Sequence, residues 1–343
     1  MRQKGAVLSF DRDMEDMQVR WRERNIDVQE HGFQNGVSRP WILPASRWED
    51  GLWPPLRSGD RWPVVDYLRA HDVSRHTGSH NLKSSWVSGA NLYFPFGQSE
   101  GGRRLLATYL ASRVDERVRS VDSIELEYAE TGDLSPSRLL GEEGGSRGSG
   151  QTSPDIAFLI NAGAGLLLVE NKLTEHSFYP CSARKTTGSV AKPGNPDAGR
   201  CTLTAALAQD AVPLCHQQAW GRKYWETLQG VVDRQRISDL PWCPAAKAGY
   251  QLFRQQALAE GLAESGNYEF VVSAVALDER NKTLTGSLKS SGLGDVRDWS
   301  GLFCGRASFR VFTHQDWAAW VRANDAQGAW GDWAAWVAAR YEI

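Results

Sequence analysis

A mixed α/β fold, a central sheet flanked by helices, is predicted by three features of the sequence. In "SEGGRRLLATYLASRVDERV", Leu105, Leu106, Tyr109, Leu110 and Val114 recur at helical spacing. In "PDIAFLINAGAGLLLVENKLTE", two apolar runs meet across a turn of small residues, as in a pair of buried strands. Further on, "YEFVVSAVAL" is a continuous apolar run of strand length. The resulting order is helix, strand, strand, strand, helix, strand.

Taken in order, residues 1–80 are rich in Trp, Pro and Arg. Proline at 40, 44, 54, 55 and 63 interrupts regular elements, so an irregular extension packed by aromatics is expected, with a helix at Val64–Ala70. The first core helix spans 99–118, and "SIELEYAE" alternates as a strand should. Residues 132–150 are a Gly/Ser-rich loop, the strand pair follows, and 184–200 form a second loop. Helical stretches are expected at 203–210, 214–229 and 245–264, then strands at 268–277 and 308–314. "DWAAWV" occurs at 316–321 and again at 332–337, placing Trp317, Trp320, Trp333 and Trp336 on helical faces. Such a ladder either docks on a core or stacks bases. The expected organisation is an extension (1–80), a core (81–315) with a Cys-containing helical insertion at about 181–245, and C-terminal Trp-rich helices (316–343).

The 343 residues are 41% apolar and 23% charged, which suits a packed core. No run of about 18 apolar residues exists, so no membrane span is expected. The start, "MRQKGAVLSFDRDMEDM", has no apolar stretch of the secretory kind, and a cytoplasmic location is expected. The net charge of −2 is unevenly spread. Cys181–Glu260 holds ten Lys/Arg against six Asp/Glu, a local +4, so the remainder is −6. A basic segment after the strand pair suits a polyanion, or an ordinary solvated surface.

The strand pair carries the chemistry. Asp155 opens the first run, and Glu170, Asn171 and Lys172 close the second. Strand side chains alternate faces, so Glu170 and Lys172 share one and Asn171 takes the other. With an even turn centred on Ala162-Gly163, opposed residue numbers sum to 325, which sets Asp155 opposite Glu170 on the same face. An odd loop would set it opposite Asn171, on the wrong face. Two facing carboxylates repel unless a cation joins them, and Mg²⁺ (or Mn²⁺) suits hard oxygen ligands. Lys172 then orients water or stabilises charge on phosphorus. A surface ion pair of Lys172 with either acid is the plain alternative.

This pattern, Pro154-Asp155 followed by Glu170-Asn171-Lys172, resembles the PD-(D/E)xK nuclease motif. With "SSWVSGANLYFPF", "VENKLTE", "GRKYW" and "GYQLFRQQAL", residues 80–275 resemble the bacterial PGN_0703-like branch of that superfamily. The resemblance implies a restriction-endonuclease-like core, Asp155 and Glu170 as metal ligands and Lys172 as the catalytic lysine. It also implies an assisting upstream acid, for which Glu100 and Glu116 are candidates. Asn171 departs from the apolar residue usual at its place. On the 245–264 helix, Gln251, Arg254 and Gln255 form one polar stripe beside Tyr250. Tyr250, Gln251 and Arg254 are nucleic-acid-binding candidates, and Arg222, Lys223 and Tyr224 are further candidates for backbone contact.

Of five cysteines, Cys181, Cys201, Cys215 and Cys243 follow one another at separations of 20, 14 and 28 residues, without a CxxC pair. Four thiolates from separate loops suit a [4Fe–4S] cluster or Zn²⁺, with His176 and His216 as substitutes in a zinc site. Buried unliganded thiols are the alternative. The function expected is Mg²⁺-dependent hydrolysis of DNA, or alternatively RNA, in DNA repair or phage defence. Two other classes stand beside it: a nucleic-acid-binding module without turnover, and a Trp-rich interaction scaffold with an exposed aromatic patch.

Overall fold

A computed structural model describes residues 10–343 of the chain. The leader reading above falls partly on residues 1–9, outside the described residues.

Helix α1 (Phe10–Asn25) corrects the expectation that residues 1–80 are irregular. Its inner face is Met14, Met17, Gln18 and Trp21, with Arg22 beside them. The two polar members hide the apolar periodicity in the sequence. They find partners inside: the Arg22 guanidinium donates to the carbonyl oxygens of Val28 (2.8 Å), Glu30 (2.6 Å) and Pro40 (2.6 Å), and Gln18 Nε2 to that of Arg340 (2.9 Å), its Oε1 being left unpaired. A short ribbon, β1 (Gly32–Gln34) and β2 (Val37–Arg39), follows, then α2 (Val64–Ala70), the helix expected there. Next come α3 (Ser85–Leu92) and α4 (Glu100–Arg113), each begun by a serine whose hydroxyl accepts a backbone N–H of the first turn.

The core is one five-stranded sheet in the order β3 (Val121–Leu126), β4 (Ile156–Ile160), β5 (Gly165–Lys172), β6 (Phe270–Leu277), β7 (Ser308–Thr313). The first three strands are antiparallel neighbours, and β5, β6 and β7 run parallel. Helix α5 (Tyr250–Glu264) belongs to the connection from β5 to β6, as a parallel pair requires. Between Ser182 and Lys247 the chain makes only short helical turns.

Alternation on β5 divides the core in two. Leu167 and Val169 face α3, α4 and the C-terminal helices, with Trp86, Tyr93, Phe96 and Tyr109. Leu166 and Leu168 face α5 and the segment before it, with Trp225, Leu252 and Phe253. All eight residues of β5 and of β6 are buried, which explains the apolar run Leu166–Val169 and the nearly continuous apolar character of β6.

Both "DWAAWV" copies are helical, in α6 (His314–Asn324) and α7 (Gly331–Tyr341). Trp317 and Trp333 are fully buried, and their indole N–H groups donate to the carbonyls of Leu92 and Asn91, each at 2.8 Å. The repeat therefore docks two helices on the core. No tryptophan is among the exposed large apolar side chains of the described residues, so the aromatic patch required by the scaffold reading is missing. No described helix is long and apolar enough to cross a membrane.

Candidate active site

The turn between β4 and β5 is Asn161–Ala164, an even loop of four residues. Asn161, Ala162 and Gly163 take left-handed φ values of 58°, 57° and 82°. The side chain of Asn161 accepts the amides of Arg119 (2.7 Å) and Ser120 (3.1 Å), and Asp122 accepts the amide of Gly163 (2.9 Å). These bonds fasten the turn to the start of β3 and fix its length.

Register follows from the turn. Ile160 pairs with Gly165 and Ile156 with Val169, so Asp155 continues the ladder opposite Glu170. The Asp155 carboxylate accepts the amide of Asn171 at 2.7 Å. Lys172 Nζ reaches back along the same face to Glu170 Oε1 at 2.6 Å. Asn171 points to the other face, where its Nδ2 donates to the Ser85 carbonyl (2.7 Å) and the Ser88 hydroxyl (3.0 Å) of α3. An apolar residue there could not make these bonds, and they tie the end of β5 to a helix.

A third acid joins from β3. Leu126 pairs with Ile156, and the Glu127 amide donates to the Asp155 carbonyl at 3.1 Å, so Glu127, Asp155 and Glu170 stand abreast on three adjacent strands. Glu127 takes φ 49°, a left-handed conformation at the strand end. Arg147 of the Gly/Ser-rich loop donates to its carbonyl (3.0 Å), and Gly148 closes over its side chain. A Cβ at Gly148 would meet the Ser74 carbonyl oxygen at 2.6 Å, and its φ is 76°, so glycine is required there.

The three acids line one cleft with His76, Gly148–Pro154, Gln251, Arg254 and Gln255. Burial, then the charge of Glu170, pushes the Asp155 carboxyl well above the usual carboxylate range. Burial, then Asp155 and Glu170, does the same to Glu127. Burial pulls the Lys172 ammonium down, but Glu170, Glu175 and Asp155 outweigh it and hold the group protonated. Behind the site, buried His314 is lowered to about 4 by desolvation. Its Nε2 lies 3.0 Å from the Lys172 carbonyl, which only accepts, so Nε2 carries the proton and Nδ1 accepts from the Tyr93 hydroxyl at 3.0 Å.

Helix α5 forms the opposite wall. Arg254 Nε donates to Glu142 (3.2 Å) and to the Thr152 hydroxyl (3.0 Å), and its terminal nitrogens bond to none of the described residues. Gln251 Oε1 is buried without a hydrogen-bond partner. Gln255 is spent on structure, its amide donating to the carbonyls of Leu168 and Ala274 and the Ser273 hydroxyl. Tyr250 lines the neighbouring cysteine cavity rather than the cleft.

Several further sequence candidates are placed elsewhere. Glu100 is 85% exposed beside Arg104, and Glu116 is exposed; neither lines the cleft. Arg222 donates to the Gly141 carbonyl, and buried Tyr224 donates to Glu142 at 2.5 Å, so both are structural; Lys223 is exposed. Cys181, Cys201, Cys215 and Cys243 converge on one cavity. His216 joins them with its Nε2 engaged by the Pro193 carbonyl at 2.9 Å, and His176 is exposed outside it. Sequence reasoning missed Glu127 and His76. Glu127 carried a usable signal, an acid ending an alternating strand just before the Gly/Ser-rich loop; His76, in an irregular stretch, carried none.

A mixed sheet flanked by helices, with acids and a lysine gathered where antiparallel strands meet parallel ones, is compatible with a restriction-endonuclease-like core. The chain belongs to the family described as Restriction Endonuclease associating with ARP, whose family model matches residues 15–342. No curated protein and no solved structure matches the chain.

Proposed function

We propose that the chain is a PD-(D/E)xK-type nuclease that hydrolyses DNA phosphodiester bonds with Mg²⁺ or Mn²⁺. The observation that carries this reading is the placement of Asp155 and Glu170 in a single cleft with Glu127, and of Lys172 on the same strand face, buried behind them with its Nζ on Glu170. Family membership supports DNA as the substrate class.

The residues fit the metal. Asp155 and Glu170 stand opposite each other on β4 and β5, and a divalent cation between two such carboxylates would relieve their repulsion. Among the described residues no three His, Cys, Asp or Glu side chains are grouped to hold one ion. Asp155 and Glu170 as two protein ligands, with waters completing the shell, is the coordination Mg²⁺ favours. Bound there, such an ion polarises the phosphoryl oxygen and activates water.

The chain's own groups supply the rest. Lys172 stays protonated, so it serves as a cation facing the non-bridging oxygens rather than as a base. The water oxygen bonds to phosphorus as the bond to the leaving ribose oxygen breaks, and the proton the water loses passes through solvent to that oxygen. Arg254, whose Nε is anchored, presents its terminal nitrogens to a neighbouring phosphate. The binding-only alternative would be favoured by a Lys172 turned away or an Asp155 out of register; against it, Asp155 lies in register with Glu170 and Lys172 Nζ bonds Glu170.

The test is incubation of purified protein with linear and circular DNA and Mg²⁺, beside Lys172→Ala and Asp155→Asn. Wild-type cleavage is expected to fall by about 100-fold or more in each variant, with circular dichroism unchanged. Equal cleavage by all three would remove these residues from the chemistry.

A further inference from the structure

We propose that Cys181, Cys201, Cys215 and Cys243 hold a [4Fe–4S] cluster, one thiolate per iron, that fastens the segment before α5 beneath the cleft helix. The proposal is independent of whether the cleft cleaves DNA.

Four cysteines far apart in sequence line a single enclosed and almost wholly apolar cavity, with Trp225, Tyr250 and Phe253 among its walls. Cys304 is exposed and lies outside it.

Cys181, Cys215 and Cys243 each immediately precede a short helical turn. Gln217 Nε2 donates to Cys181 Sγ at 3.1 Å. Neutral thiols are weak acceptors and gain little from such a donor, whereas cluster-bound sulfur is stabilised by it. Arg184, three residues after Cys181, has its Nε buried without a hydrogen-bond partner.

Four cysteines around one cavity suit a ligand larger than a single ion. A zinc ion needs all its sulfurs within about 2.3 Å of one point. No three of the described His, Cys, Asp or Glu side chains, those of the four cavity cysteines among them, are grouped to hold one ion. A cluster asks for less convergence, because each thiolate binds a different iron at the rim of a larger body.

The cavity adjoins the cleft through α5. Tyr250 lines one, and Gln251, the next residue, lines the other. Cys181 and Cys243 also join the backbone bonding here, the Cys243 amide to the Cys201 carbonyl (2.7 Å) and the Cys181 amide to the Ala245 carbonyl (3.1 Å).

The experiment is anaerobic incubation of the full chain with equal ferrous and ferric iron plus sulfide, followed by desalting. Two ferrous ions, two ferric ions and four sulfides give a core that four thiolates bind with release of four protons. The expected result is about four irons and four acid-labile sulfides per chain, with a broad visible absorption band. Cys201→Ser and Cys215→Ser are each expected to retain less than half the iron and lose the band, and Cys304→Ser to keep both. A wild-type chain that takes up neither iron nor sulfide, or that holds one zinc without sulfide, would overturn the proposal. So would Ser variants that load fully. Should the Ser variants precipitate, the iron and sulfide content of the wild type decides by itself.

Discussion

The carboxylate of Asp155 accepts the backbone amide of Asn171 at 2.7 Å, and this bond holds the head of β4 against the tail of β5. It leaves Asp155 on the face of Glu170 and Lys172, while the side chain of Asn171 is carried to α3. A slip of one residue would turn Asp155 to the other side of the sheet.

Turn length therefore governs the site, and the turn is strained. Ala162 sits at φ 57° without the local side-chain bonds that let Asn161 tolerate this region. Ala162→Gly is expected to raise stability by about 0.5–1 kcal/mol in urea unfolding, with cleavage unchanged. Insertion of one residue beside Ala162 is expected to abolish cleavage.

The raised acids give a sign to the pH dependence. A carboxyl whose value rises on folding contributes stability at low pH that is lost as pH increases through its folded value. In chelated solution, wild-type stability is thus expected to fall on going from acid toward neutral pH because of Asp155 and Glu127. Asp155→Asn and Glu127→Gln are each expected to raise the melting temperature near pH 8 by about 1–4 °C. Mg²⁺ is expected to raise it in the wild type and to do less in Asp155→Asn. Thermal scans with and without chelator measure both effects.

His314 gives the opposite slope. Its value falls from the ordinary 6.5 to about 4 on folding, so its contribution is complete above 6.5 and is lost as pH drops toward 4. In that window the slope from this group approaches about 1.4 kcal/mol per pH unit. His314→Gln is expected to lower stability at neutral pH, through the lost Tyr93 and Lys172 bonds, and to flatten this part of the profile. Urea midpoints across pH 4–7 test it.

Arg254 is expected to act on phosphate rather than on bases. In an Asp155→Asn background, Arg254→Gln should weaken binding of short duplexes alike across sequences and lower the salt-dependence slope by about one. An unchanged slope would leave Arg254 as a support for Glu142 alone.

Much of this was legible because it is local. Strand alternation put Glu170 and Lys172 on one face, and the apolar run before them announced a strand covered on both sides. Helical spacing located α2, α4, α6 and α7 within a few residues. The same reasoning passed over α1, because its buried face includes Gln18 and Arg22, polar groups acceptable there only through partners supplied by other segments. It pointed to Glu100 and Glu116 and not to Glu127, which reaches the site by pairing with a strand 28 residues further on.

By itself, then, the sequence determined which residues share a face and which stretches are buried, since both follow from backbone periodicity and apolar content. Tertiary structure decided the rest. Bonds from Asn161 and Asp122 to distant strand ends fixed the even turn, long-range pairing brought in Glu127, and packing beneath α5 gathered four scattered cysteines. The physical reason is that spacing sets direction along one element, while contact between elements depends on bonds whose partners lie tens of residues apart.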